Sequence, residues 1–114
     1  MIILNAIYPA TPNARFDADY YRDSHMPMCK RVLGAACTGI AFHAGLSGGA
    51  PGSAPPFVAI GTLYFDSLED FQTAFPPKAA ELMADIPNYT DITPVIQISD
   101  VALHDVSAGA AVHA

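Results

Sequence analysis

The chain predicts an α+β domain whose elements run strand, helix, strand, strand, helix, strand. Three observations carry this. Four short stretches are continuously apolar or alternate, as strands do, and two longer ones place apolar residues at helical spacing. The helical stretches separate the first strand from the second and the third from the fourth, while a Gly- and Pro-rich loop joins the middle two. The strands show little polar alternation, so both faces of their sheet are expected to be covered.

The first strand is "MIILNAIYP", with Ile2, Leu4, Ala6 and Tyr8 on one side and Ile3, Asn5 and Ile7 on the other. Its apolar run is too short, and lacks the preceding positive charge, for a secretion signal. After the loop "ATPNARF", Asp17 is a good N-cap for a helix over 17–34, and Gly34 a good C-cap. "AACTGIAFHAGL", residues 35–46, reads as the second strand, "SGGAPGSAPP", 47–56, as a flexible loop, and "FVAIGTLYF", 57–65, as the clearest strand. Asp66 or Ser67 caps the second helix, "DSLEDFQTAF", which places Glu69 and Asp70 in its first turn. Pro76 and Pro77 interrupt it. Pro77 suits the first turn of a further piece carrying Phe75, Ala79, Leu82, Met83 and Ile86 at helical spacing. "PNYTD" is a turn, and "DITPVIQISDVAL", 91–103, is the fourth strand. The domain is expected to span 1–105, with a frayed tail over 106–114.

That order is the ferredoxin-like β-α-β-β-α-β sandwich, in which both helices cover one sheet face and leave the other bare. In the third strand, however, Val58, Ile60, Thr62 and Tyr64 oppose Phe57, Ala59, Gly61, Leu63 and Phe65, so neither side is polar. In the fourth, Val95 and Val101 oppose Ile92, Ile96 and Ile98. Each Val or Ile left in water forgoes about 1.5–3 kcal/mol. Hydrophobic residues make up 52% of the chain and charged ones 14%, against about 25% charged in an average domain. A second sheet is therefore the expected cover, giving a homodimeric α/β barrel.

Composition also excludes functions. With net charge −6 and five Lys and Arg, the chain has no basic surface for nucleic acid or for an anionic membrane. The uncharged region 32–65 is punctuated by Gly and Pro, so it is not a membrane span. Cys29 and Cys37 make no disulfide framework and read as buried free thiols, which points to a reducing, cytoplasmic setting.

The first helix holds the distinctive chemistry. Tyr21, His25, Met28, Cys29 and Val32 share one face, and Asp19, Arg22, Asp23 and Lys30 lie mainly on the other. His25 therefore points inward. Pro27 disfavours helical backbone at Met26 and removes a donor, so a kink and a gap beside His25 are expected. An imidazole there could act as general acid or base on a small ligand. A satisfied core histidine produces the same pattern. Tyrosines at a helix start, here Tyr20 and Tyr21, commonly bury the ring and wet the hydroxyl. His43 shares a strand side with Cys37, Gly39, Ala41 and Gly45, as a cavity wall or an exposed edge; His104 and His113 fall in or near the tail. No histidine pair has an HxH or HxxxH spacing, so no metal site is expected. Glu81, Asp85 and Asp91 read as solvated charges, and "GLSGGAPG" lacks the strand-to-helix context of a phosphate loop.

"DADYYRDSHMPM" resembles the D-x-x-Y-Y-x-x-x-H-x-P element of the EthD family, and "AFPPKAAELMADIPNYTDITPVIQISDV" resembles that family's carboxy-terminal half. The resemblance implies a ferredoxin-like protomer, a dimeric α/β barrel, and a role in bacterial degradation of ethers and other small, poorly polar organics. It makes His25 the family's histidine and Tyr20 and Tyr21 its paired tyrosines. The leading expectation is a small-molecule enzyme, an oxidoreductase or a cofactor-free isomerase, cyclase or monooxygenase. Catalytic His25 would stand beside a pocket walled by Tyr21, Met28 and Phe71, with Tyr20 also touching ligand. A non-catalytic dimeric carrier of an apolar metabolite is the alternative. No cofactor is expected, haem on His25 or His43 being the one candidate.

Overall fold

Apolar alternation in four segments builds one antiparallel sheet: β1 (Ile2–Pro9), β2 (Cys37–Ala44), β3 (Phe57–Phe65) and β4 (Val95–Asp100), in the order β2-β3-β1-β4. This is the ferredoxin-like α+β arrangement. The structure, a computed structural model, describes residues 1–107. In the central pair Leu4 stands opposite Leu63, Ala6 opposite Gly61 and Tyr8 opposite Ala59. On the other side of β1, Ala6 meets Ile96 and Leu4 meets Ile98. That face turns toward the helices and buries Ile2, Leu4, Tyr8, Ala59, Leu63 and Phe65. The opposite face carries Ile3, Ile7, Val58, Ile60 and Tyr64, all half-buried, and exposed Val95. A short polar stripe crosses it, where the Thr62 hydroxyl donates to Asn5 Oδ1 at 2.7 Å and Gln97 pairs with Asn5 in register.

The first helical layer is α1 (Ala18–Tyr20), a π-helical turn over Tyr21–His25, and α2 (Met26–Leu33). Asp17 caps it by accepting the Tyr20 N–H at 3.0 Å, and Gly34 closes it at φ 67°. The helix does not end at Pro27. Pro27 has no N–H, and its ring crowds the carbonyl four residues back. The chain answers by widening one turn, so that the Met26 N–H reaches the Tyr21 carbonyl, five residues away. Helix therefore runs through the proline. It buries Tyr21, His25, Met26, Cys29 and Leu33, with Met28 and Val32 half-buried.

Three expectations shift at the sheet. Residues 34–36 form a single helical turn, so β2 starts at Cys37 rather than at residue 35. A register shift between Cys37 and Gly39 leaves Thr38 as an extra residue. Cys37 thus packs into the helix-side core, 3% exposed, while Gly39, Ala41 and His43 lie on the far face. The fourth strand is shorter than 91–103. The Thr90 hydroxyl donates to the Arg15 carbonyl and accepts from the Ile92 N–H, tying this segment to the loop before α1. Pairing begins only after Pro94, which has no amide to offer.

The second layer is broken into α3 (Leu68–Ala74), a turn at Pro76–Lys78, α4 (Ala79–Ala84) and a turn at Ile86–Asn88. The Ser67 Oγ caps α3 by accepting the Asp70 N–H at 3.1 Å. Phe71 stacks on Phe75 with ring centres 5.2 Å apart, and meets Phe65 edge-on. Leu82 is the one residue of α3 and α4 that is fully buried. No helix among the described residues is long and apolar enough to cross a membrane. Of the tail expected at 106–114, residues 108–114, His113 among them, lie outside the described residues.

Candidate functional site

The wide turn and α2 set His25 on the inner face of the first layer, 6% exposed. Its Nδ1 lies 2.9 Å from Asp85 Oδ2, at the end of α4. The other carboxylate oxygen accepts from the Tyr20 hydroxyl at 2.7 Å and from Asn88 Nδ2 at 2.9 Å. Burial pushes the Asp85 carboxyl up. Donors from Asn88, His25 and Tyr20 outweigh it and hold the group below its usual range. Burial pushes the His25 imidazole below its ordinary value, against the pull of Asp85. At neutral pH the pair is thus an ionised Asp85 accepting Nδ1–H from a neutral His25. That bond assigns the tautomer and leaves the lone pair on Nε2.

Nε2 is poorly served. The Cys29 Sγ is 3.5 Å from it and the Tyr89 hydroxyl 3.4 Å, the latter longer than a good bond. Tyr89 and Tyr8 share a short hydroxyl–hydroxyl bond of 2.7 Å. Tyr21 stacks on the imidazole, ring centres 5.2 Å apart and planes 18° apart. Burial raises the hydroxyls of Tyr8, Tyr21 and Tyr89 and pushes the Cys29 thiol up to about 12, so all four keep their protons at neutral pH.

These groups line a cavity of about 230 Å³ between helices and sheet. Leu4, Ala6, Gly61 and Leu63 form its floor; Tyr21, His25, Met26 and Cys29 one wall; Phe75, Leu82, Met83 and Ile86 the other. Tyr8 and Tyr89 stand at the polar end, and Pro94 and Ile96 complete the lining. Met83 and Ile96 are half exposed and mark the mouth. Gly61 is required here, because a Cβ on it would run into the Tyr21 hydroxyl. If each non-hydrogen atom takes a water molecule's share of liquid volume, roughly 30 Å³, the space suits about eight such atoms.

The structure thus brings His25 and Tyr21 together on the cavity. Tyr20 is off it, holding Asp85 from behind. Met28 packs half-buried against the core, and Phe71 lies one ring away, behind Phe75; neither lines the cavity. His43 is exposed on the opposite sheet face, so it shares no site with His25. Asp85 is not a solvated charge but the partner of His25. Asp91, by contrast, is exposed and accepts the Arg15 N–H. Sequence reasoning missed Asp85, Tyr8, Tyr89, Asn88 and Gly61 as site residues. The one available signal was the second motif, which contains Asp85, Asn88 and Tyr89. Among the described residues no group of three His, Cys, Asp or Glu could hold a metal ion.

Comparison with known proteins identifies the family and the fold. The family model described as the EthD domain matches residues 12–93. A crystal structure of an EthD-like protein from Ralstonia eutropha JMP134 is 48% identical, with a TM-score of 0.85 over 91% of this chain and 94% of that one. A crystal structure of an ethyl tert-butyl ether degradation (EthD) family protein from Bacillus halodurans C-125 is 16% identical, with a TM-score of 0.60 over 88% of this chain and 97% of that one. The second likeness is one of fold. No curated protein matches the chain.

Proposed function

The chain belongs to the EthD family, and on that premise we propose that it takes one small, mostly apolar organic molecule into the cavity beside His25. His25 orients that molecule or exchanges a proton with it. The observation that carries this is the division of labour on one ring: Nδ1 is held by Asp85, and Nε2 is left underserved in an otherwise apolar space. A base fixed by an orienting carboxylate, with its other nitrogen facing room for a ligand, is the geometry of general acid–base chemistry. Tyr21 is the wall against which ligand and imidazole are set. Tyr20, Met28 and Phe71 act one layer back, the first through Asp85. The pathway in view is catabolism of small, poorly polar organics, with no bound cofactor needed. The bare sheet face, with Ile3, Ile7, Val58, Ile60 and Val95 on it, closes against a second copy.

A carrier without turnover is supported by one observation: Tyr8, Tyr21, Cys29 and Tyr89 are all held neutral around the cavity. Amide chemical-shift mapping with a panel of six- to eight-atom ethers, alcohols and ketones tests both readings. Shifts confined to the cavity residues, with any turnover lost in His25→Ala, support the enzyme. The same shifts with no turnover in either protein support the carrier. A panel that leaves the cavity amides unmoved rejects both.

A further inference from the structure

We propose that the molecule taken by this site is an uncharged carbonyl compound with an acidic α C–H. His25 Nε2 removes that proton while the Tyr89 hydroxyl donates to the carbonyl oxygen. This rests on the reading of the cavity as a ligand site, and adds a substrate class and a reaction to it.

The first ground is spacing. Nε2 and the Tyr89 hydroxyl are 3.4 Å apart, and both residues line the cavity. In an enolisable unit the oxygen and the α-carbon are roughly 2.4 Å apart, from bond lengths of about 1.2 and 1.5 Å. One such unit bridges the two groups, oxygen toward Tyr89 and carbon toward His25. The long contacts that Nε2 makes without ligand are ones that a ligand displaces at little cost.

The second ground is the direction of the protons. With Nδ1–H given to Asp85, Nε2 is an acceptor. When Tyr8 donates across its 2.7 Å bond, the Tyr89 oxygen is satisfied and its proton is free to point at a carbonyl. One acceptor and one donor, side by side at the polar end, match what enolisation needs.

The third ground is charge. No Lys or Arg lines the cavity. A carboxylate ligand would be stripped of water with no cation to meet it. An amine would find no free carboxylate, because both Asp85 oxygens are already engaged by Tyr20, Asn88 and His25.

The step balances without a co-reactant. The Nε2 lone pair takes the α-proton. The electrons of the broken C–H bond form the new C=C bond, and the carbonyl π pair moves onto oxygen, where the Tyr89 hydroxyl meets it. The imidazolium is stabilised by Asp85 through Nδ1–H. Returning the proton to the same carbon, or to a conjugated one, regenerates neutral His25 and gives exchange or isomerisation.

Cyclohexanone in D2O at neutral pH is the probe. Proton NMR follows loss of its α-hydrogens, and amide shifts of Cys29 and Gly61 report binding. The wild type is expected to deuterate the probe saturably above the buffer rate. His25→Gln should lose about 100-fold or more and Tyr89→Phe about 10–100-fold. Cyclohexane should bind and block exchange, while cyclohexanecarboxylate and cyclohexylamine should leave the amides unmoved. If the ketone shifts the amides but is not deuterated faster than in buffer, or His25→Gln matches the wild type, this proposal falls and the ligand site stands. If neither ketone nor cyclohexane moves the amides, the site itself falls too. Should His25→Gln fail to fold, saturation by ketone and blockade by cyclohexane in the wild type decide the matter.

Discussion

The two helical layers lie on the same sheet face but are built to different standards. The first runs from Ala18 to Leu33 without a break and buries five side chains, four of them on the cavity. The second is cut by Pro76 and Pro77 and by Pro87 into pieces of seven and six residues with single turns after each, and buries Leu82 alone. Both meet prolines. In the first the helix widens and continues; in the second it stops and restarts. The lesson is that precision and room come from different elements. The continuous layer fixes Tyr21, His25 and Cys29 in place. The interrupted one supplies half-covered Phe75 and Ile86 and exposed Met83, which leave space and a mouth.

That contrast is open to measurement. Tyr21→Ala in the first layer should cost about 3–5 kcal/mol by urea unfolding, as for other large buried rings. Met83→Ala in the second, 54% exposed, should cost under about 0.5 kcal/mol. Equal losses would erase the distinction. Gly61→Ala should cost about 1–3 kcal/mol through overpacking against Tyr21. Adding Tyr21→Phe removes the colliding hydroxyl and should recover part of that, a coupling visible in a double-mutant cycle.

Acid sensitivity should trace to the bond between the layers. His25 and Asp85 both resist protonation in the fold relative to their ordinary values of 6.5 and 3.8. On acidification the unfolded chain binds protons first, so stability falls as pH drops below 6.5 and again below 3.8. Unfolding series across that range should lose the upper step in His25→Gln and the lower step in Asp85→Asn. A local change is expected from Ser67→Ala, about 0.5–2 kcal/mol from loss of the α3 cap. Asp17→Ala, the matching cap of the first layer, should fall in the same range, because caps act locally whatever lies behind them.

The fold was largely legible because period and punctuation agree. Alternation marked β1 and β3, Asp17 and Ser67 marked helix starts, and Gly34 marked an end. The inward face of His25 followed from its spacing with Tyr21 and Cys29. What escaped was set by tertiary contact. Asp85 has the composition of a solvated charge, and only the approach of α4 to the first helix puts its carboxylate on His25. Tyr8 looked like any strand residue and Tyr89 like part of a turn; the hydroxyl bond between them spans 81 positions. The bulge at Thr38, which turned Cys37 inward, has no local signature. Pro27 was rightly seen as a disturbance, but a proline in a helix can be met by a bend or by a wider turn, and the choice depends on what the rest of the face must touch.

The stretch from Tyr21 to His25 holds one residue more than an ordinary helix would use there. Deleting Ser24 would let the segment close into a seamless α-helix, and a circular dichroism spectrum would hardly register it. Yet the stack of Tyr21 on the imidazole and the reach of Tyr20 to Asp85 are both set across this turn, and closing it would shift both. The protein's chemistry is thus keyed to a length, and a single-codon indel could silence it while leaving the scaffold whole.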